Sequence, residues 1–292
     1  MRLALLGLGL VGGSVALAVR PSGWHIAAWT PGGTGPRQAL AAGAIDRVAS
    51  SVADAIADAD LVVLAAPATA CLDLLDVLSG PARAALGPDV VVTDVASTKA
   101  VVVERAAARG LRFVGGHPMA GREISGFDAA DAALFRDRPW VLVPPADDDA
   151  GLARVEALVR ACGARPIPMT ADEHDAAVAA ISHAPLVLAA ALVEAIAGGP
   201  GEPVAPGWPA AAVLASSGWA SATRLARGDP AMGAGIAATN AGPLAARLRA
   251  VALRLDEWAA LLEEAADDGL PDEVRLRRRL AAARARLEAR DG

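Results

Sequence analysis

The sequence predicts an α/β fold in two parts, a doubly wound sheet over residues 1–170 and an all-helical domain over residues 171–292. Up to about residue 170, short apolar runs alternate with helix-compatible stretches, which is typical of a parallel sheet covered by helices on both faces. From Thr170 onward, long Ala/Leu/Val segments at helical period dominate, interrupted by GGPGEPVAPGWP at 198–209. A chain of 292 residues is long enough for two such domains.

The candidate strands are continuous apolar runs, as expected for strands that are buried on both faces. In order they are RLALLG, HIAAW, LVVLAAP, DVVVTDV, LRFVGG, PWVLVPP and RPIPM. Helical patterns lie between them, among them Thr98–Arg109 and Ala150–Cys162. The chain ends in DEVRLRRRLAAARARLEAR, which predicts a charged, solvent-facing helix.

Composition excludes several classes of protein. A hydrophobic fraction of 54% with 21% charged residues indicates a globular protein rather than a disordered one. The net charge of −6 argues against a sequence-independent nucleic-acid binder, which needs a basic surface. The cysteines, Cys71 and Cys162, lie far apart and form no Cys/His cluster. We therefore expect no disulfide framework, no metal site and a cytoplasmic location.

Two apolar stretches resemble export or membrane segments. The N-terminal MRLALLGLGLVGGSVALAV has the hydropathy of a signal peptide, but its glycines fit a cofactor loop better. The run from Ala176 to Gly198 is long enough to span a bilayer. It contains His183, Pro185 and Glu194, so we expect a buried core helix and no membrane contact.

The first apolar run leads directly into GLGLVG at residues 7–12. A GxGxxG segment between a strand and a helix is the dinucleotide-binding pattern of Rossmann-type sheets. Gly7 permits the tight turn, Gly9 lets the backbone approach a pyrophosphate, and Gly12 lets the helix pack closely on the strand. The helix N-terminus offers N–H groups and a positive dipole end to the phosphates. The predicted cofactor-binding residues are Gly7, Gly9, Leu10, Val11 and Gly12 of this loop, together with Pro67 at the end of the LVVLAAP run.

The second strand, HIAAW, ends in Thr30, where NAD-binding sheets carry an acid that bonds the ribose. A neutral hydroxyl does not repel a 2′-phosphate, so Thr30 is a cofactor-binding candidate that is compatible with NAD or NADP. Arg37 either pairs with such a phosphate or is an arginine near the start of a helix. The choice between the two cofactors stays open.

Two polar residues follow neighbouring strands, at the sheet edge where ligands bind in doubly wound folds. VVVTDVASTKA places Ser97 just past one strand, and RFVGGHPMAG places His117 just past the next. Hydride removal from an alcohol carbon requires a base for the hydroxyl proton, and imidazole suits this near neutrality. Ser97 orients that hydroxyl, caps a helix beginning at Thr98, or does both. The alternative for His117 is a loop histidine with no role in chemistry.

Five segments carry a resemblance to a known family: GLGLVGGSVA, DVASTK, GGHPMAGREISGF, HDAAVAAISHAP and TRLARGDPAM. Together they resemble the prephenate/arogenate dehydrogenases of tyrosine biosynthesis over nearly the whole chain, and HPMAG and SHxP are the most specific parts. The resemblance implies oxidative decarboxylation of prephenate or arogenate with NAD(P)⁺, giving 4-hydroxyphenylpyruvate or tyrosine. It also implies a homodimer joined through the helical domain.

The same resemblance assigns roles to individual residues. His117 becomes the catalytic histidine that is hydrogen-bonded to the ring hydroxyl, and Ser97 shares that hydroxyl. Arg224 corresponds to the arginine that binds a substrate carboxylate, which a guanidinium holds with two parallel hydrogen bonds. His183, in the SHxP segment, is a further substrate-binding candidate.

His174 is interpreted as a helix-start residue. It lies nine positions before His183, which places the two on opposite faces of a regular helix unless Pro185 bends it.

Two positions depart from the family pattern. Leu186 stands where many prephenate-using relatives have a second histidine, which favours arogenate as substrate. Arg122 stands where the family often has threonine, next to Glu123. Glu123 is a substrate-site candidate that gates the site or attracts an ammonium group, or else it is an exposed loop acid.

Three alternative functions remain. A β-hydroxyacid dehydrogenase resembles this organisation but uses a lysine from its helical domain, and residues 171–292 contain none. An imine reductase does not require His117. A non-catalytic NAD(P)-binding sensor keeps the glycine loop without needing Ser97, His117 and Arg224 together.

Overall fold

The computed structural model describes residues 1–122, 124–264 and 270–291. Among these residues, eight strands form one sheet in the order β3-β2-β1-β4-β5-β6-β7-β8. The strands are β1 (Arg2–Leu6), β2 (His25–Trp29), β3 (Arg47–Val48), β4 (Leu61–Leu64), β5 (Val91–Asp94), β6 (Phe113–Pro118), β7 (Pro139–Val143) and β8 (Arg165–Pro168). The strand order reverses between β1 and β4, which is the doubly wound arrangement. The predicted fold class is therefore confirmed.

The structure differs from the predicted strands at two places. Each predicted apolar run forms a strand, but the two-residue β3 was not predicted, since it is too short to give a pattern. β6 pairs parallel to β5 over its first residues and antiparallel to β7 over its last, where His117 faces Val141. A parallel crossover needs a dozen or more residues, usually a helix. Between β6 and β7 the described residues contain only a 3₁₀ turn, Phe127–Ala129, so the chain returns antiparallel.

Both faces of the sheet are buried, as continuous apolar strands predict. Leu3 and Leu5 of β1 face one hydrophobic core, and Ala4 and Leu6 face the other. This alternation follows from the period of two along a strand. The sheet is therefore a rigid central layer, and its strand ends hold fixed positions from which loops can present side chains.

The helices of the first 170 residues cover the sheet, and from Ala171 onward the described chain is helical. The helices are α1 (Leu10–Val19), α2 (Thr34–Ala41), α3 (Val52–Ile56), α4 (Ala68–Ser79), α5 (Ala100–Ala108), α6 (Asp149–Ala161), α7 (Ala171–Val178), α8 (Ala184–Ala197), α9 (Trp208–Leu214), α10 (Ser217–Ala222), α11 (Pro230–Thr239), α12 (Ala241–Glu263) and α13 (Glu273–Asp291). A π-helical segment, Ala179–His183, joins α7 to α8.

The chain divides into two compact units, residues 1–244 and 245–292. The first holds the sheet and helices α1 to α11, so the predicted boundary at residue 170 remains a prediction. The second holds most of α12 together with α13, whose described side chains are largely exposed, as the charged sequence predicts. Within it the Arg279 guanidinium lies 4.5 Å from the centre of the Trp258 ring and 2.8 Å from Glu257.

The apolar helical stretch Ala171–Ala197 is less covered than the sequence predicts. Among the described residues it is the one helix long and apolar enough to cross a membrane by length and composition. Only 28% of its most apolar 18-residue window is buried. Ile181 is 71% exposed and Ile196 is 42% exposed. The expectation of a buried core helix is therefore wrong for the single chain. An apolar sequence predicts that a helix is buried, but it does not show whether the same chain or another one buries it.

Candidate active site

The glycine loop between β1 and α1 has the geometry that its sequence predicts. Gly7 has φ +112°, and a Cβ added there would lie 2.1 Å from the carbonyl oxygen of Ala65. A Cβ on Gly12 would lie 2.2 Å from the carbonyl oxygen of Gly7. Gly9 differs, because the nearest atom to its added Cβ is the amide nitrogen of Gly126 at 4.0 Å. Gly7 and Gly12 are thus required by packing, while the backbone at Gly9 is open to a ligand.

The other predicted cofactor residues lie in the first turn of α1 or just past β2 and β4, the strands on either side of β1. α1 begins at Leu10 and continues through Val11, and no side chain caps its N-terminus. Uncapped N–H groups and the helix dipole suit a phosphate. Thr30 follows β2 and its hydroxyl accepts a hydrogen bond from the Gly33 amide at 3.1 Å. Pro67 follows β4, is exposed, and precedes the first residue of α4. The open backbone at Gly9 and the uncapped N-terminus of α1 fit a dinucleotide.

A buried ion pair fixes the ends of β5 and β6. Asp94, the last residue of β5, accepts hydrogen bonds from the amides of Gly116 at 2.9 Å and Ala96 at 3.0 Å. Its carboxylate also pairs with the ammonium of Lys99, and both side chains are fully buried. Lys99 is the chain's single lysine. This lysine is thus engaged in holding two strand ends together, and sequence reasoning did not identify it as part of the site.

Ser97 lies in the loop between these paired residues and is partly buried. α5 begins at Ala100 rather than at Thr98, and Ser97 does not cap it. The carboxylate of Asp175 caps it instead, accepting from the amides of Lys99 at 2.8 Å and Ala100 at 2.9 Å. The capping alternative for Ser97 is therefore wrong, because an acid from α7 takes that role.

His117 lies within β6 rather than just past it, and its side chain is partly buried. Its Nδ1 is 2.8 Å from Nε2 of His174. His174 is 1% exposed, and its own Nδ1 is 2.7 Å from Oδ1 of Asp175. His174 does lie in the first turn of α7, as interpreted, but it also joins His117 to a buried carboxylate, which the sequence did not indicate. The adjacent His-Asp pair was the available signal, but its partner lies 57 residues away.

His183 belongs to the same network. It is buried, its Nδ1 is 3.0 Å from the side-chain nitrogen of Asn240, and that nitrogen donates to the Asp175 carbonyl oxygen at 2.9 Å. The prediction that His174 and His183 face opposite ways assumed a regular helix. The π-helical segment that ends at His183 widens the turn and changes the phase. Pro185, which has no N–H to donate, lies two residues after His183, in the first turn of α8.

Burial and neighbouring charges shift the pKa values of this network. The pKa of His117 is well below 6.5 because of burial, with further lowering by His174, Lys99 and His183. The pKa of His183 falls to about 4 through burial and His174, although Asp175 opposes the shift. Burial tends to raise the pKa of Asp175, but hydrogen bonds from His174, Ala100 and Lys99 outweigh it and lower the pKa. Near neutrality His117 and His183 are uncharged, and Asp175 is a carboxylate.

Of the two remaining predicted substrate-binding residues, the structure describes Arg224. Arg224 is exposed at the start of a 3₁₀ turn, Arg224–Arg227, which packs against α8, the helix that begins after His183. Glu123 lies outside the described residues, so its predicted role remains a prediction.

Two family models match the chain in succession. The model described as prephenate dehydrogenase, nucleotide-binding domain, matches residues 15–168. The model described as prephenate dehydrogenase, dimerization domain, matches residues 170–276.

Curated relatives and solved structures agree with these models. Prephenate dehydrogenase of Bacillus subtilis (strain 168) is 33% identical over 234 residues, which is 78% of this chain but only 61% of that protein. Prephenate dehydrogenase of Lactococcus lactis is 31% identical over 88% of this chain and 70% of its own. The structure of Synechocystis arogenate dehydrogenase has a TM-score of 0.79 at 30% identity, covering 98% of this chain and 100% of that chain. The structure of A. aeolicus prephenate dehydrogenase with hydroxyphenyl propionate and NAD+ has a TM-score of 0.83 at 26% identity, covering 98% of both chains.

Proposed function

Because the chain belongs to the prephenate dehydrogenase family, we propose that it is an NAD(P)-dependent oxidoreductase that oxidises and decarboxylates prephenate or arogenate. The observation that carries the proposal is the uncharged, partly buried His117 at the same edge of the sheet as the glycine loop. Within the described part of the chain its Nδ1 is hydrogen-bonded and its Nε2 is not. The imidazole therefore has one nitrogen available as a base.

In the proposed reaction His117 accepts the proton of the ring hydroxyl while hydride leaves the carbon that bears it. NAD(P)⁺, when bound, supplies the hydride acceptor. The ketone that results is a vinylogous β-keto acid, so it loses CO₂ and the ring becomes aromatic. His117 thus needs to act once, on one hydroxyl, and the product ring makes the sequence of steps irreversible.

Other residues of the site position the substrate. Ser97 has a partly buried hydroxyl that α5 does not use, so it is available to the same ring hydroxyl. His183 receives a hydrogen bond from Asn240 at Nδ1, so its Nε2 carries the proton and offers a donor to a substrate oxygen. Arg224 binds a carboxylate through its guanidinium. The open backbone of Gly9 and the first turn of α1 hold the pyrophosphate.

A steady-state assay tests the activity. The wild-type protein is supplied with prephenate or arogenate and with NAD⁺ or NADP⁺, and reduced cofactor and CO₂ are measured. We expect turnover with at least one pair, and a loss of roughly 10²–10⁴-fold in kcat for His117→Asn. Cofactor affinity, measured by fluorescence titration, should be unchanged in that variant. The exposed His25 provides the control His25→Asn. Full turnover by His117→Asn would remove the base role.

We also infer that the protein is a cytoplasmic homodimer. Ile181, Ile196 and other apolar side chains of the stretch Ala171–Ala197 are exposed in the single chain, and burying them is favourable. The region lies within the segment matched by the dimerization-domain model. Sedimentation equilibrium of the purified chain is expected to give twice the monomer mass of 29.3 kDa. Ile181→Glu should shift the mass toward the monomer, and an unchanged dimer would exclude this surface.

A further inference from the structure

We propose that Asp175 and His174 are positioning residues that fix the tautomer of His117, so that the proton is held on Nδ1 and the lone pair stays on Nε2. The inference rests on the proposed base role of His117 and names two residues that serve it. The contact that carries it is an unbroken series of side chains, Asp175 to His174 to His117, with separations of 2.7 and 2.8 Å.

The first step is the direction of the Asp175 hydrogen bonds. Its two oxygens receive the backbone amides of Lys99 and Ala100, and an amide can only donate. Asp175 is 3% exposed, and a buried carboxyl with this many donors stays ionised. The third donor to the carboxylate must then be Nδ1–H of His174, at 2.7 Å from Oδ1. The proton of His174 is thereby placed on Nδ1.

In the second step, the tautomer of His174 determines the tautomer of His117. With its proton on Nδ1, a neutral His174 has a lone pair on Nε2, which can only accept. Nδ1 of His117, at 2.8 Å, must therefore donate to it. A neutral His117 that donates through Nδ1 has its lone pair on Nε2, the nitrogen without a partner among the described residues.

The third step concerns the surroundings that keep the His117 ring neutral. Among the described residues, the charged or titratable groups near the two rings include Lys99 from the β5–α5 junction, Asp175 from α7 and His183 from the π-helical segment. The nearby ammonium of Lys99 disfavours a second positive charge on His117. Asn240, the residue that follows α11, donates to Nδ1 of His183 and to the Asp175 carbonyl oxygen, so it holds α7 and the π-helical segment in place.

Asp175 is also held in a fixed position, so its carboxylate can orient the two histidine rings. Asp175 caps α5, the helix that starts directly after the Lys99 residue paired to β5. The carboxylate that sets the proton position is thus tied to the strand ends that carry His117. The same contact therefore sets both the orientation of the ring and its tautomer, as hydrogen-bond partners of functional histidines usually do.

The decisive measurement is imidazole ¹⁵N–¹H NMR of the cofactor-free protein. The chain has four histidines, so each ring can be assigned by single substitution. We expect His117 to be in the Nδ1–H form, with Nε2 unprotonated. In Asp175→Asn the amide can donate to His174 Nδ1, which reverses both hydrogen bonds and turns His117 to the Nε2–H form. We expect kcat to fall on the order of 10²–10⁴-fold with little change in KM, as when a base histidine is held in the wrong tautomer.

Control variants separate positioning from general disruption. Asp172→Asn removes an exposed acid from the same helix and should change neither the tautomer nor kcat. His174→Asn keeps the Asp175 cap on α5 but breaks the contact to His117, so it serves if Asp175→Asn does not fold. His117 should then show a mixture of tautomers.

The results distinguish this inference from the proposed function. An Nε2–H wild-type His117, or a tautomer unmoved by both Asp175→Asn and His174→Asn, would overturn the positioning role whatever the activity. The predicted tautomers with no turnover of prephenate or arogenate would instead overturn the proposed reaction and leave the hydrogen-bond series intact.

Discussion

The glycine loop and the histidine network lie at the same edge of the sheet but are built by opposite means. The loop contains no charged side chain and works because Cβ atoms are missing at Gly7, Gly9 and Gly12. The network consists of buried ionisable groups, among them Asp94, Lys99 and His174, held by charge and hydrogen bonds. The function of the loop depends on the space left by the missing side chains, and the function of the network depends on where its protons are held. The loop should therefore fail when atoms are added, and the network when a proton or charge is moved.

The largest effect is expected in the loop, at Gly7. Gly7→Ala places a Cβ 2.1 Å from the Ala65 carbonyl oxygen at φ +112°. Strain and overpacking together should reduce the free energy of unfolding by roughly 3–6 kcal/mol. Gly9→Ala is the matched control, because its Cβ meets no atom closer than 4.0 Å. It should unfold like the wild type in urea but bind the cofactor more weakly, since the methyl group occupies the pyrophosphate approach. Equal stability of the two alanine variants would contradict the steric account.

The next effect is expected in the network, at the buried ion pair. Lys99→Met leaves the Asp94 carboxylate buried without its cation, which should cost about 3–5 kcal/mol of unfolding free energy. Adding Asp94→Asn removes the stranded charge while the side chain can still accept from the Gly116 amide. The double variant should therefore be more stable than Lys99→Met alone. A double-mutant cycle from urea unfolding measures the coupling, and additive losses would mean that the two groups do not interact.

An intermediate effect is expected from the protonation of His183. Its pKa is lowered to about 4, so the unfolded chain takes up a proton near pH 6.5 while the folded protein does not. The stabilisation is complete above about pH 6.5 and is lost as the pH falls toward 4, up to about 3 kcal/mol. His117, with a pKa also lowered, acts in the same direction. Urea unfolding between pH 7.5 and 5 should show a shallower pH dependence for His183→Asn than for His25→Asn. Identical slopes would mean that His183 is not held neutral by the fold.

The two regions also differ in what could be predicted from sequence. The loop is a local pattern, since Gly7 to Gly12 follow a strand and open a helix within a few residues. Apolar strands were likewise predicted because burial on both faces gives continuous runs. The antiparallel direction of β7 was not predicted, because it follows from the lack of a crossover helix between β6 and β7 in the described residues and not from the sequence of β7 itself.

The network could be predicted only in part. His117 was found from its place among glycines after an apolar run, and His183 from its family segment. His174 and Asp175 were missed, because their contacts reach residues 57 to 76 positions away and become visible only when α7 packs against α5. The π-helical turn before α8 was also unforeseen, and an assumed period of 3.6 residues placed two neighbouring histidines apart. A local steric requirement can be predicted from adjacent residues, whereas the position of a proton depends on distances between residues that are far apart in the sequence.

The smallest effect tests whether the network extends to α11 through Thr98. The Thr98 hydroxyl is buried and donates to the Thr239 hydroxyl at 2.9 Å, and Thr239 donates in turn to the Gly235 carbonyl. Thr98→Val removes one neutral hydrogen bond and leaves Thr239 with its other partner, so the expected loss is about 1 kcal/mol of unfolding free energy. Because Thr98 follows Ser97 directly, a loosened loop should raise KM more than it lowers kcat. Thr239→Val removes two hydrogen bonds and should be the more destabilising of the pair in urea unfolding. If Thr98→Val instead reduced kcat as strongly as Asp175→Asn, proton placement would depend on this contact too. Thr98 would then belong to the histidine network.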